Sequence, residues 1–418
     1  MGATVINRKL KNTIIILIAL LTACANILDG NRIQTQEATT THEPFATVAI
    51  AAKCQIAQVA PTPSQTEVSI FPAFQKSDHF RGSSQAYVTF IEYGDFQCPG
   101  CAGLAPVLLD LEKKYPDNLL VIFRQLPLYD IHDKALLAAQ ASESASDLGK
   151  FWEMHDLLFS TYENWKNKTP DEFYSFVIDQ SEILGMDKSI FKEKLSSQEI
   201  IDRVDNQLNN ALEIGLRSTP FLLINGQIYN GPRDFNSLDS IIGLIVLGKN
   251  QFSSCPAMTI DPQKQYIATI STEKGTVTIQ LFPDKAPVAV NAFVFLARNG
   301  WYDNITFYKV IPNVAIQTGD PSATGLGGPG FLYQIETNND LAFDRPGVVA
   351  MVNSGSDSNG SQFLITLKPL PELNGSYTIF GQVIEGMDVL KKLSPRDPNI
   401  QINLVPGDIL INISIEEK

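Results

Sequence analysis

Residues 87–101 of this chain, Tyr-Val-Thr-Phe-Ile-Glu-Tyr-Gly-Asp-Phe-Gln-Cys-Pro-Gly-Cys, admit few folds. Tyr87, Val88, Phe90, Ile91 and Tyr93 are aromatic or β-branched, the make-up of a buried strand. Gly94 and Asp95 break it. Cys98, Pro99, Gly100 and Cys101 then open a helix, on which Leu104, Val107, Leu108 and Leu111 form an apolar stripe. Proline is tolerated in a first turn because that N–H has no helical partner. A thiol there faces unpaired N–H groups and the positive end of the helix dipole, and both favour the thiolate that attacks disulfides. Strand, Cys-x-x-Cys and helix start together point to a redox pair, Cys98 and Cys101. Two other readings compete. A zinc half-site needs two further ligands, and no second cysteine pair or close histidine pair supplies them. A structural disulfide here would close almost no loop. No metal and no cofactor is expected.

A length of 418 residues predicts two or three domains. Lysine and arginine number 32 against 45 acidic residues, a net charge of −13, which argues against a nucleic-acid partner. The chain starts with Arg8, Lys9 and Lys11, then a short apolar run over residues 13–21, too short to span a bilayer comfortably. Leu21-Thr22-Ala23-Cys24 follows and resembles the lipobox of bacterial lipoproteins. That resemblance implies export, lipidation of Cys24 and an acyl anchor in a bacterial cell envelope. An ordinary signal peptide with a chance cysteine is the alternative, and it puts the protein on the same side of the membrane. Residues 25–68, rich in Thr, Gln, Ala and Pro, read as a flexible tether that contains Cys54.

After the redox helix, residues 118–124 read as a second buried strand. Helical stretches follow at 134–148, 150–159, 170–185, 187–195 and 198–215, with Trp152 and His155 as packing and polar-face residues. Residues 218–224 form a strand entered through Pro220; Asn225-Gly226 is a hairpin signal, and residues 237–247 close with a helix. Together these resemble the DsbA-like branch of the thioredoxin superfamily over residues 69–249, an α/β thioredoxin-like domain with a helical insertion. The resemblance implies that Thr219 and a cis Pro220 sit against the cysteines. It makes Cys98 the exposed nucleophile and Cys101 the buried resolving thiol. Glu92 stands at the place of the buried acid that ferries a proton for the resolving cysteine. A charge between Ile91 and Tyr93 in an apolar strand is costly unless it has a role. DsbA itself has a histidine between the cysteines where this chain has Pro99-Gly100, so the direction of exchange stays open.

Residues 250–264 read as a linker. Once Cys24, Cys98 and Cys101 are assigned, Cys54 and Cys255 remain of the five cysteines. In an oxidising compartment such a leftover pair reads as a structural disulfide.

Residues 265–418 carry short, evenly spaced strands with turn signals, which predict an all-β closed barrel with helices. Phe307-Tyr-Lys-Val-Ile-Pro312, Gln317-Thr-Gly-Asp-Pro321, Asn359-Gly-Ser-Gln-Phe363 and Phe380-Gly-Gln-Val-Ile-Glu-Gly386 resemble cyclophilin. The family's activity is peptidyl-prolyl isomerisation, whose uncatalysed barrier of roughly 18–20 kcal/mol comes from amide resonance. A donor to the prolyl nitrogen weakens that resonance. The family uses an arginine there; this chain has Lys309, which lacks the flat guanidinium fork. By resemblance Gln317 assists Lys309, and Phe307, Val314, Asn353, Gln362, Phe363, Leu364, Leu373 and Tyr377 form the substrate pocket. Val314 and Leu364 stand where the family has aromatics.

The expected function is therefore an extracytoplasmic folding factor that combines a cyclophilin-type isomerase with a thiol–disulfide oxidoreductase. Its partners would be folding secreted proteins, a redox partner for Cys98–Cys101, and the membrane through the lipid anchor. The alternative is a membrane-tethered, peptide-binding chaperone module with a catalytically weak cyclophilin domain.

Overall fold

The first strand, β1 (Cys54–Ile56), belongs to a sheet whose other strands come some two hundred residues later. The structure is a computed structural model; it describes residues 54–57, 70–355, 358–398, 400 and 407–418. The signal segment and Cys24 lie outside these residues.

Five strands form the sheet of the first domain. β2 (His79–Gly82), β3 (Val88–Gly94), β4 (Leu119–Gln125), β5 (Phe221–Ile224) and β6 (Gln227–Tyr229) are ordered β2-β4-β3-β5-β6. β3 and β4 run parallel, with Glu92 opposite Phe123, and α1 (Pro99–Lys114) crosses between them. β3 is covered on both faces, so its residues read as an apolar run rather than an alternation. Asn225 and Gly226 both take positive φ in the turn from β5 to β6, as a two-residue hairpin needs. The inserted helices are α2 (Ala135–Asp147), α3 (Phe151–Ser160), α4 (Tyr162–Trp165), α5 (Pro170–Ile183), α6 (Lys188–Leu195) and α7 (Gln198–Glu213), and α8 (Phe235–Leu247) closes the domain. Side chains of Thr169, Asp187, Ser197 and Asp234 cap α5, α6, α7 and α8, which explains where those helices start. The insertion buries Met154, Leu158, Trp165 and Phe173 in one core with Phe96, Cys98 and Cys101. His155 departs from its expected polar face: it is buried among Phe96, Phe123, Trp152 and Phe159.

The second domain is built on the hairpin β7 (Tyr266–Thr272) and β8 (Gly275–Leu281), followed by the buried helix α9 (Pro287–Arg298). Then come β9 (Ile305–Thr306), β10 (Lys309–Ile311), β11 (Ala315–Thr318), β12 (Phe331–Gln334), β13 (Val348–Asn353), β14 (Ser358–Thr366), β15 (Ile379–Glu385), the short α10 (Met387–Leu390) and β16 (Ile409–Glu417). Their path is β1-β12-β14-β13-β15-β8-β7-β16-β9, with β10 paired to β11 and β11 to β14. Phe363 meets Phe293, Tyr302 and Phe380 edge to face at its centre.

Three expectations need correction. The barrel is not closed. The chain breaks between strands at Phe307 and Tyr308, so that β9 bonds to β16 and β10 to β11. Val310 exchanges backbone hydrogen bonds with Arg396 on the edge where β16 would have to continue. The sheet therefore curls round and stops one strand pair short. The tether is also interrupted: β1 pairs with β12, Cys54 opposite Tyr333 and Ile56 opposite Phe331. The linker, finally, is no free spacer. Phe252 N donates to Pro329 O at 2.8 Å, and its ring packs on Phe295, 4.9 Å between centroids. The thioredoxin-like domain is thus inserted between two pieces of the second domain, and Cys54–Cys255 joins those pieces at its base, with an S–S distance of 2.04 Å.

Candidate functional site

The first site, the Cys98–Cys101 pair, begins where β3 ends. Gly94 is required because a Cβ there would run into the Phe123 ring and come within 3.2 Å of Glu92 Oε1. Asp95, fully buried, then organises the turn: its carboxylate accepts from Gln97 N (2.7 Å) and Leu128 N (2.9 Å) and pairs with His132 Nδ1 (2.7 Å). This ties the cysteine turn to the loop after β4. Cys98 is the N-cap of α1, and its Sγ hydrogen-bonds Thr219 O at 3.4 Å. The Thr219–Pro220 bond is cis. A Cβ on Gly100 would lie 2.8 Å from Pro220 Cδ, so the glycine lets the proline sit directly on the pair.

Both cysteines are free thiols, 7% and 0% exposed for Cys98 and Cys101. The expected exposed nucleophile is largely covered, because Thr219 and Pro220 lie over it. Hydrogen bonding from Cys101 pulls the Cys98 thiol down to about 5, against the opposing effect of burial, with help from Thr219 and the N–H groups of Cys101 and Gly100. Burial pushes Cys101 well above the usual thiol range, and the Cys98 and Glu92 charges add to this. Glu92 is 2% exposed, and burial raises its carboxyl to about 8. Its Oε1 has no hydrogen-bond partner among the described residues. Cys101 therefore lies between the Cys98 sulfur and the Glu92 carboxyl, and Glu92 can take its proton only in the ionised form, which gains population as the pH approaches 8.

The second site lies on the face of β10, β11, β14 and β13. Strand register puts Lys309 opposite Gln317, Gln317 opposite Leu364, and Leu364 opposite Ala350. Val314, Leu364, Leu373 and Tyr377 share one apolar cluster with Phe343 and Ala350. Phe343, fully buried, was not expected; it sits in a loop whose sequence carries no period. Lys309 Nζ is 3.8 Å from Asp397 Oδ1. Asn353 Nδ2 donates to Ser376 O (2.9 Å), while its Oδ1 has no partner among the described residues.

Two of the expected pocket residues lie elsewhere, and a third has another role. Phe307 and Phe363 are fully buried in the barrel core. Side chains alternate along β14, so with Gln362 and Leu364 on the site face Phe363 must face inward. Gln362 is a brace: it accepts from Tyr308 Oη at 2.6 Å and donates to Gly325 O and Gly327 O at 3.1 and 2.8 Å. Tyr308 was missed; a polar aromatic between Phe307 and Lys309 was the available signal.

Fold and sites define a two-domain chain with a buried dithiol centre in a thioredoxin-like domain and an apolar groove bordered by a lysine on a curled β-sheet. The family model described as "Cyclophilin type peptidyl-prolyl cis-trans isomerase/CLD" matches residues 267–406, and the one described as "Thioredoxin" matches residues 75–243. The chain is 42% identical over 128 residues to peptidyl-prolyl cis-trans isomerase-like 1 of Emericella nidulans, covering 30% of this chain and 79% of that one. The protein of the same name in Aspergillus niger is 39% identical over 150 residues, with 35% and 93% covered. Peptidylprolyl isomerase domain and WD repeat-containing protein 1 of Mus musculus is 39% identical over 153 residues, and this chain spans only 24% of its length. A solved Cryptosporidium parvum cyclophilin type isomerase, crystallised in the presence of the dipeptide ala-pro, is 34% identical with a TM-score of 0.34, over 36% of this chain and 99% of that one. The chain belongs to the cyclophilin-type peptidyl-prolyl cis-trans isomerase family and carries a thioredoxin-like domain in addition.

Proposed function

We propose that this chain is an exported, lipid-anchored folding factor of a bacterial envelope that exchanges disulfides and isomerises X-Pro bonds in folding client proteins. The observation that carries the redox half is the stacking of Pro220, Cys98, Cys101 and Glu92. A Cys98 thiolate attacks a client disulfide, forming a mixed disulfide and releasing one client thiolate. Cys101 gives its proton to Glu92 in the ionised form of that carboxyl, attacks Cys98 Sγ and releases the second client sulfur as a thiolate. The client gains two electrons and the pair closes as a disulfide; the reverse sequence oxidises a client. The reduction potential of Cys98–Cys101 decides the direction.

For the isomerase half, Lys309 donates to the prolyl nitrogen while the groove around Leu364, Leu373 and Tyr377 holds the ring. The Cys54–Cys255 disulfide supports export, because such bonds persist in oxidising compartments. One observation favours the second reading, a peptide-holding module: Lys309 is turned towards Asp397, and aliphatic Val314 and Leu364 line the groove. The test is insulin reduction beside prolyl-tetrapeptide isomerisation on the full chain. Cys98→Ser should abolish the first activity only, and Lys309→Ala should lower the second only. Tetrapeptide binding with no isomerisation would decide for the holding module. Export is tested by fractionation and by labelled fatty acid on Cys24; recovery in the cytoplasm without lipid would overturn it.

A further inference from the structure

The loop over residues 325–330 is where everything attached to the second domain converges. From within, Asp320 Oδ2 accepts from Gly325 N (2.7 Å) and Gly327 N (3.0 Å). From the site side, Gln362 Nε2 donates to Gly325 O and Gly327 O, and its Oε1 holds the Tyr308 hydroxyl beside Lys309. From the interdomain segment, Gln251 Nε2 donates to Gly328 O (2.9 Å) and Phe252 N to Pro329 O (2.8 Å). From the N-terminal strand, Ala57 N donates to Gly330 O (2.9 Å). Leu247, the last residue of α8 in the thioredoxin-like domain, approaches so closely that a Cβ on Gly327 would lie 2.7 Å from its Cδ2. Gly327 and Gly330 are required here, since a Cβ would run into Asp320 Oδ1 at the first and lie 2.5 Å from Phe252 O at the second. Cys54 and Cys255 link the last two outside contacts, since one lies at the start of β1 and the other three residues beyond Phe252.

β1 cannot hold this position on its own account. It has three residues, and Ile56 is 48% exposed. A strand that short, with so little buried, gains almost nothing from pairing alone. The disulfide keeps it on β12.

We propose that Cys54–Cys255 is a redox-sensitive clamp on the isomerase site. Oxidised, it fixes β1 and residues 251–255 against the 325–330 loop, and through Gln362 it fixes Tyr308, which precedes Lys309 at the start of β10. Reduction is a two-electron step by a dithiol. The S–S bond breaks, Cys54 and Cys255 each take up a proton and an electron, and the reductant closes to its own disulfide. β1 then leaves β12, the loop loosens, and Gln362 loses the carbonyls that orient it. The proposal rests on the isomerase reading.

The test compares the oxidised full chain with Cys54→Ser and with Cys54→Ser/Cys255→Ser, which avoid any reductant acting on Cys98 and Cys101. Hydrogen exchange should quicken over residues 325–334, and kcat/KM for a proline tetrapeptide should fall roughly threefold or more, the usual scale for coupling through packed contacts. The loss should sit in kcat, because the groove itself is left intact. Mild reduction of the folded parent should reproduce both changes and reoxidation should reverse them, which a variant that merely folds poorly would not do. Unchanged exchange, or quickened exchange with unchanged kcat/KM, overturns the clamp. If the oxidised parent itself shows no isomerisation, the isomerase reading fails instead. The clamp is then judged by hydrogen exchange over residues 325–334, and unchanged exchange overturns it.

Discussion

Glu92→Gln separates the proton-carrier role from a packing role. The folded protein keeps a proton on Glu92 up to about pH 8, whereas an ordinary carboxyl gives it up near 4.5. Between those values the folded state binds more protons than the unfolded chain, so stability falls as pH rises. From pH 4.5 to 7 this amounts to about 3 kcal/mol at about 1.4 kcal/mol per pH unit. Cys98 acts in the opposite sense. Its thiol sits at about 5 against an ordinary 9, so it adds stability as pH rises through that window. The parent's own stability curve is therefore shallow, and the difference between parent and variant isolates Glu92. Urea unfolding in the same reductant should show the glutamine form equal to the parent near pH 4 and more stable by about 2–3 kcal/mol at pH 7. Mixed-disulfide resolution should move the other way, slowing by roughly a hundredfold, because an amide cannot take the Cys101 proton. A stability difference that is the same at both pH values, or unchanged resolution, would refute the assignment of Glu92.

Three further outcomes are expected. Brief iodoacetamide treatment of the reduced protein should label Cys98 ahead of Cys101, with a pH midpoint near 5 rather than 9; peptide mapping that finds Cys101 labelled first would reverse their roles. Gly100→Ala should cost roughly 1–3 kcal/mol and slow exchange, because its Cβ would meet Pro220 Cδ at 2.8 Å; a stable, fully active alanine form would show that Pro220 gives way. Lys309→Arg should raise kcat/KM for a proline tetrapeptide by restoring a planar multi-donor group, only in part because Val314 and Leu364 remain aliphatic; an equal or slower arginine form would favour the peptide-holding module.

Local chemistry was legible and distant pairing was not. The strand–Cys-x-x-Cys–helix unit could be read directly because apolar run, turn and stripe lie within one short segment. The helical insertion was readable for the same reason. Glu92 stood out because a carboxylate in the middle of β3 violates the pattern around it, and its burial is the physical cost that the pattern implied.

What escaped has a different origin. β1 is three residues with no amphipathic signature, and its partner β12 lies beyond the whole inserted domain. No local preference specifies a pairing over that separation; only the tertiary fold does. The break between β9 and β10 escaped for a related reason, since Arg396 takes the edge of β10 from far along the chain. Phe307 and Phe363 show the limit of transferring a pocket by motif. Both match the motif, yet strand parity decides which neighbour faces the groove, and it selects Leu364 over Phe363. A motif match therefore places this site to within one residue, and the alternation of β14 settles the last step. The same parity puts Gln362 on the site face, where its bonds to the 325–330 loop make it a support rather than a contact for substrate.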